Sequence, residues 1–155
     1  MKNINRVKTP CIGVCSTGIG DTVCRGCKRF AHEIIQWNAY SEEQKRLVLQ
    51  RLNQLLSQVV QARLAIVDEQ QLLAQCQLQK VKINPDADPL CWVFDLLKAG
   101  ASQIQAMEPY GCRINSEYIH LSPVQIKDDI DKDFFILSEV HYERYFDAKH
   151  RSFVE

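Results

Sequence analysis

No run in this chain approaches the roughly 18 consecutive apolar residues that a membrane helix needs, so no membrane role is expected. An export signal is missing too. Met1 to Thr9 is polar, carries three basic residues and has no apolar core. The expectation is a cytoplasmic protein in a reducing compartment, where paired cysteines are not disulfides. The chain has no phosphate-binding glycine loop, no dinucleotide glycine fingerprint and no Ser–His–Asp order that could serve as a triad. Enzyme activity is therefore not expected. Net charge is absent as well: 19 Lys and Arg balance 19 Asp and Glu. The balance is uneven along the chain. Residues 1–66 hold ten basic and four acidic residues, and residues 67–155 hold nine and fifteen. A basic first part can attract RNA or an acidic protein. Its basic residues are scattered and not interleaved with aromatics as a stacking surface would be, so nucleic acid is not the favoured partner.

Against these absences stand seven cysteines, four of them between residues 11 and 27. Cys11 and Cys15 form a C-x3-C pair, Cys24 and Cys27 a C-x2-C pair, and eight residues separate the pairs. Two close pairs on a short loop can converge on one tetrahedral point, as a thiolate-bound metal requires. Gly13, Gly18, Gly20 and Gly26 lie in the same stretch, where the backbone must turn tightly. A lone redox dithiol at Cys24 and Cys27 would leave Cys11 and Cys15 unexplained and lacks the preceding strand of a thioredoxin-like unit. A c-type haem site needs His after the second cysteine, where Lys28 stands. Cys11, Cys15, Cys24 and Cys27 are therefore expected to bind metal. The spacing matches neither ferredoxin cysteine run and leans to zinc. Phe30, Ile34 and Trp37 share a helical stripe, which predicts a helix over 28–37 with the second cysteine pair at its start. Lys28 and Arg29 would offset the formal charge of a four-thiolate centre.

The run Pro10 to Cys15, the Cys-Arg-Gly-Cys of 24–27, and Arg29, Glu33, Ile34, Trp37, Ser41 and Glu43 together resemble domain-of-unknown-function family 1289. These are small bacterial proteins described as predicted iron–sulfur proteins. The resemblance covers about residues 9–56; family members often have Thr and Met where Phe30 and Tyr40 stand. It implies an iron–sulfur or related site on Cys11, Cys15, Cys24 and Cys27, and no established reaction.

Ser41 to Gln44 reads as a capping box opening a long helix, with Val48, Leu52, Leu55, Val59 and Ala62 on one stripe. No Gly or Pro interrupts before Pro85; a break is expected near Ile66 and Val67, with Asp68 capping a further helix over 69–79. Val81 to Ile83 is β-prone, and Asn84 to Pro89 is a turn. Leu90 to Ala99 predicts a buried helix ended by Gly100. Beyond Pro109 the pattern alternates. Strands are expected over 112–116 and 134–140, with β-prone residues at 118–121 and 142–146. Asp129, Asp131 and Asp133 mimic the first ligands of a calcium loop, but Phe134 and Val140 stand at its Gly and Glu positions, so an acidic solvated loop is expected. His120, His141 and His150 share no ligand spacing. Cys76, Cys91 and Cys112 read as small buried hydrophobes.

The expected fold class is α+β: a small cysteine-rich metal module over 1–66 that ends in the long helix, then an acidic region over 67–155 with a helix packed on a small antiparallel sheet. The expected function is that of a metal-thiolate protein, with zinc or an iron–sulfur cluster, acting as an accessory that docks a protein partner. The alternatives are an iron–sulfur electron-transfer factor and an RNA-binding accessory protein.

Overall fold

A computed structural model describes residues 7–13 and 15–154, with side chains as far as Phe146. Among the described residues, five α-helices and one two-stranded antiparallel sheet follow in the order α1 (Ala31–Gln36), α2 (Glu42–Gln61), β1 (Leu64–Ile66), α3 (Glu69–Leu78), α4 (Pro89–Gly100), β2 (Cys112–Ile114) and α5 (Pro123–Val154). The α+β class is as expected. No described helix is long and apolar enough to cross a membrane. The polar, basic stretch Met1 to Thr9 suggests a mobile arm by its sequence; residues 1–6 lie outside the described residues, and the Val7 amide donates to Glu42 Oε2.

The chain divides into two compact units, residues 1–52 with 134–155, and residues 53–133, the cuts falling inside α2 and α5. In the first unit, Ser41 caps α2 as its sequence predicts: Ser41 Oγ accepts from the Gln44 amide at 3.1 Å, and Gln44 Oε1 accepts from the Ser41 amide at 2.8 Å. The buried apolar residues here include Val23, Cys24, Cys27, Phe30, Trp37, Val48, Leu52 and Phe134. Helix α1 starts at Ala31, later than expected, because Lys28 adopts φ +65° and breaks the helical path before Arg29.

In the second unit, α3 and α4 pack together; Asp68 opens α3 as the sequence suggests, and Asp88 opens α4. Asp68 accepts from the Gln71 amide at 3.1 Å, and Asp88 from the Leu90 amide at 2.9 Å. Leu72, Cys76, Val93, Leu96, Leu97, Met107 and Cys112 form the centre of its core. The Cys91 and Cys112 thiols are each pushed up to about 12, by burial first. They behave as the apolar fillers expected, not as reactive groups.

Strand β2 pairs with β1 in the register Leu64 to Ile114, Ala65 to Arg113 and Ile66 to Cys112. A strand at 64–66 differs from the expectation, which runs the helix on to a break near Ile66 and Val67; α2 ends at Gln61 instead. The helix ends by tertiary contact: Asn115 Nδ2 donates to the Ala62 carbonyl at 3.0 Å, and the Asn115 amide to the Arg63 carbonyl at 2.9 Å. Gly111, at φ +73°, brings its carbonyl to the Val67 and Asp68 amides at 2.7 and 3.0 Å.

The larger correction lies after residue 115. Ser116–Tyr118 is a 3-10 turn, and residues 118–121 form no strand. Residues 134–140 and 142–146 are not strands either; both lie within the 32-residue helix α5. Its buried residues Ile126, Ile130, Phe134 and Ser138 recur every fourth position, a helical period that runs through the supposed boundary at 133. The acidic cluster is likewise helical, and Asp129 and Asp133 both pair with the buried Arg63 guanidinium, Asp129 at 2.8 Å. Val81 to Ile83 is irregular and pairs with no strand.

Candidate metal centre

Residues 22–31 form a tight hairpin with Cys24 and Cys27 at its tip. Val23 and Phe30 bridge in antiparallel sense, the Cys24 amide donates to the Arg29 carbonyl at 2.9 Å, and the Ala31 amide to the Thr22 carbonyl at 2.8 Å. The left-handed Lys28 lets the chain reverse, with its amide on the Cys24 carbonyl at 2.8 Å. The Lys28 ammonium folds back onto the Arg25 and Gly26 carbonyls at 2.6 and 3.2 Å. With those carbonyls held on one side, amides of the turn face the Cys24 sulfur.

That arrangement sets the chemistry of Cys24. Burial pushes its thiol up, but backbone hydrogen bonds from Cys27, Ser16 and Gly26, and one from the Cys27 side chain, outweigh burial and bring it down to about 7. Cys27 is raised, by burial first, although Arg29 donates its Nε–H to Cys27 Sγ at 3.3 Å. Lys28 and Arg29 are both buried, at 2% and 3% exposure; Arg29 sets its charge against Cys27, while the Lys28 ammonium is held on the turn carbonyls. Arg29 also lies 4.8 Å from the Trp37 ring centroid, with Lys45 at 5.7 Å from the same ring.

The first pair is exposed. The Gly13 amide donates to Cys11 Sγ at 3.4 Å, and Cys15 Sγ lies 2.9 Å from Thr17 Oγ1. Gly13 and Gly26 each stand two residues after the first cysteine of a pair, and each hydrogen-bonds that cysteine's sulfur through its backbone. At Gly13 the φ of +89° calls for glycine. The 3-10 turn Ser16–Ile19, closed by Gly20, links the pairs. Its buried Ser16 accepts the Arg25 amide on Oγ at 2.8 Å, while the Ser16 backbone bonds to Cys24 sulfur. One covalent step separates that residue from Cys15.

Among the described residues, no three His, Cys, Asp or Glu side chains are gathered into a metal-holding group. The structure thus brings Cys24 and Cys27 together and leaves Cys11 and Cys15 at the surface of the same loop. The donor set fits a thiophilic metal: four thiols, amides directed at two of the sulfurs, and the buried Arg29 guanidinium on Cys27. The expected placement of Cys24 and Cys27 at a helix start is corrected, because α1 begins four residues past Cys27. The amides that reach Cys24 belong to the turn itself.

Residues 9–56 match the family described as Protein of unknown function (DUF1289). The match spans all four cysteines, the hairpin, α1 and most of α2. No curated protein and no solved structure matches the chain. Within the matched segment lies a contact that the sequence did not suggest. Glu33 in α1 grips Arg51 in α2 through two hydrogen bonds, at 2.5 and 2.7 Å, and also accepts the Phe30 amide at 2.8 Å. The signal was half legible: Glu33 at the third helical position can reach back to the amide before the helix. Its partner 18 residues later was not.

Proposed function

We propose that this is a metal-thiolate protein in which Cys11, Cys15, Cys24 and Cys27 hold one metal centre that completes the first unit. One observation carries the reading: the Cys24 sulfur collects amides from its own turn and from Ser16, which adjoins Cys15, while the buried Arg29 guanidinium bonds to Cys27. Amide hydrogen bonds and nearby positive charge favour the thiolate that metal binding needs. Residues 10–40 bury few large side chains, and a bound metal would supply the cross-link that so small a core lacks. Buried Cys24 and Cys27 form the inner half of the site, and exposed Cys11 and Cys15 the outer half. The metal is zinc by cysteine spacing or an iron–sulfur cluster by family resemblance. The cellular role that follows is that of a cytoplasmic accessory factor, docking a protein partner through the module.

A second reading, electron transfer, is favoured by the exposure of Cys11 and Cys15, since electron exchange requires a centre close to the surface. Elemental analysis and a visible spectrum of untagged protein purified without oxygen test both. About one zinc per chain and no visible band supports the structural reading; iron with sulfide and a brown colour supports the second. Protein carrying neither metal, or with these cysteines joined as disulfides, overturns the proposal.

A further inference from the structure

The first unit contains a cavity of about 250 Å³ that involves none of the cysteines. Its walls are rings: Phe30 and His32 from the start of α1, Tyr40, and His141 and Tyr145 from α5. The Glu33–Arg51 pair completes the lining. His32 and Tyr145 lie face to face, 12° from parallel with centroids 5.7 Å apart, and Phe30 takes the edge of Tyr142 on one side and the Arg51 guanidinium on the other.

Polarity in this cavity is one-sided. Both Glu33 oxygens are directed at protein donors: Oε1 accepts from the Phe30 amide and Arg51 Nη2, and Oε2 from Arg51 Nη1. Each Arg51 terminal nitrogen spends one N–H on Glu33 and retains another. Arg51 keeps 24% of its side chain exposed, so that face is reachable. His32 and His141 add imidazole N–H groups. The lining therefore offers N–H donors, with the Arg51 charge already balanced by Glu33, set among flat apolar faces. That combination suits an aromatic body carrying an acceptor, because a guanidinium recognises carboxylate and rings stack on rings. The volume lies below the range usual for drug-sized ligands and admits a single ring with a small substituent.

We infer that this cavity binds a small aromatic carboxylate, its ring against the His32, Tyr145 and Phe30 walls and its carboxylate toward Arg51 and the imidazoles. The inference involves none of the four cysteines; it needs the first unit folded, with its metal in place if the proposed centre organises that unit.

The test is an NMR titration of the full-length, isotope-labelled protein with benzoate, alongside benzamide (ring without charge) and acetate (charge without ring). Expected are saturable shifts at Phe30, His32 and His141 with a Kd below about 1 mM, the level that so small a ligand can reach, and binding of either control at least about tenfold weaker. His141→Ala should weaken benzoate about fivefold or more with an otherwise native spectrum. If that variant does not fold, Tyr145→Ala at the more exposed wall reports the same loss. No saturable shift up to about 10 mM, shifts that map away from these residues, full-strength binding in the folded variant, or controls that bind as tightly as benzoate would each overturn the inference.

Discussion

The Glu33–Arg51 pair joins the hairpin that carries Cys24 and Cys27 to helix α2, and its removal should be felt throughout the first unit. The Glu33 side chain is 6% exposed and Arg51 24%, with both carboxylate oxygens and both terminal guanidinium nitrogens engaged. Deleting one member of a fully buried ion pair costs about 3–5 kcal/mol, because the other charge is stranded. Water reaches part of Arg51, so Glu33→Gln should cost about 2–4 kcal/mol. Glutamine retains an acceptor for the Phe30 amide. Glu33→Ala removes that as well and should cost about 1 kcal/mol more. Replacing both charges, Glu33→Gln with Arg51→Met, strands neither, so the double variant should lose much less than the sum of the singles. The assay is a double-mutant cycle read by urea unfolding, with amide hydrogen exchange in α1 and α2 to locate the loss. A coupling energy under about 1 kcal/mol, or a Glu33→Gln variant within about 0.5 kcal/mol of the parent, would refute the argument.

Three other outcomes are expected. Cys27→Ser should strip hydrogen-exchange protection from residues 10–40 while residues 53–133 keep theirs; native protection in 10–40 would contradict a metal-organised module. Gly111→Ala should cost about 3 kcal/mol or more in urea unfolding, because alanine is strained at φ +73° and its Cβ would lie 2.3 Å from the Asp68 carbonyl oxygen. The pH dependence of Asp95→Asn has a definite sign. Burial, the largest influence, raises the Asp95 carboxyl, with Lys98 pulling the other way. A carboxyl raised on folding favours the fold below its unfolded value and loses that contribution as pH rises through its folded value. At pH 7 Asp95 therefore works against stability, and the asparagine variant should melt higher by roughly 1–4 °C at pH 7 with no gain near pH 3.

Where the chain's local chemistry is strong, the sequence was enough. The box at Ser41 and the cap at Asp68 predicted helix starts that the structure contains, because a side-chain oxygen three residues from an orphan amide needs no tertiary help. Helix α5 had the same kind of signal. Ser122 and Gln125 form a reciprocal box, at 2.9 and 3.2 Å, with Pro123 at the first helical position. The β-prone run of Phe134 to Val140 is a local signal of the opposite sign. Propensity is weak beside burial, and the four-residue spacing of Ile126, Ile130, Phe134 and Ser138 wins once there is a core to face.

The sequence by itself determined the four-cysteine loop, its C-x-G turns and the polarity of the helices, since each rests on neighbours within a few positions. Only the tertiary structure decided where α2 stops, that Asp129 and Asp133 face Arg63, and that Glu33 meets Arg51. Those pairings join residues 18 to 70 positions apart. A local pattern cannot hold such partners, because their meeting depends on the whole core having closed.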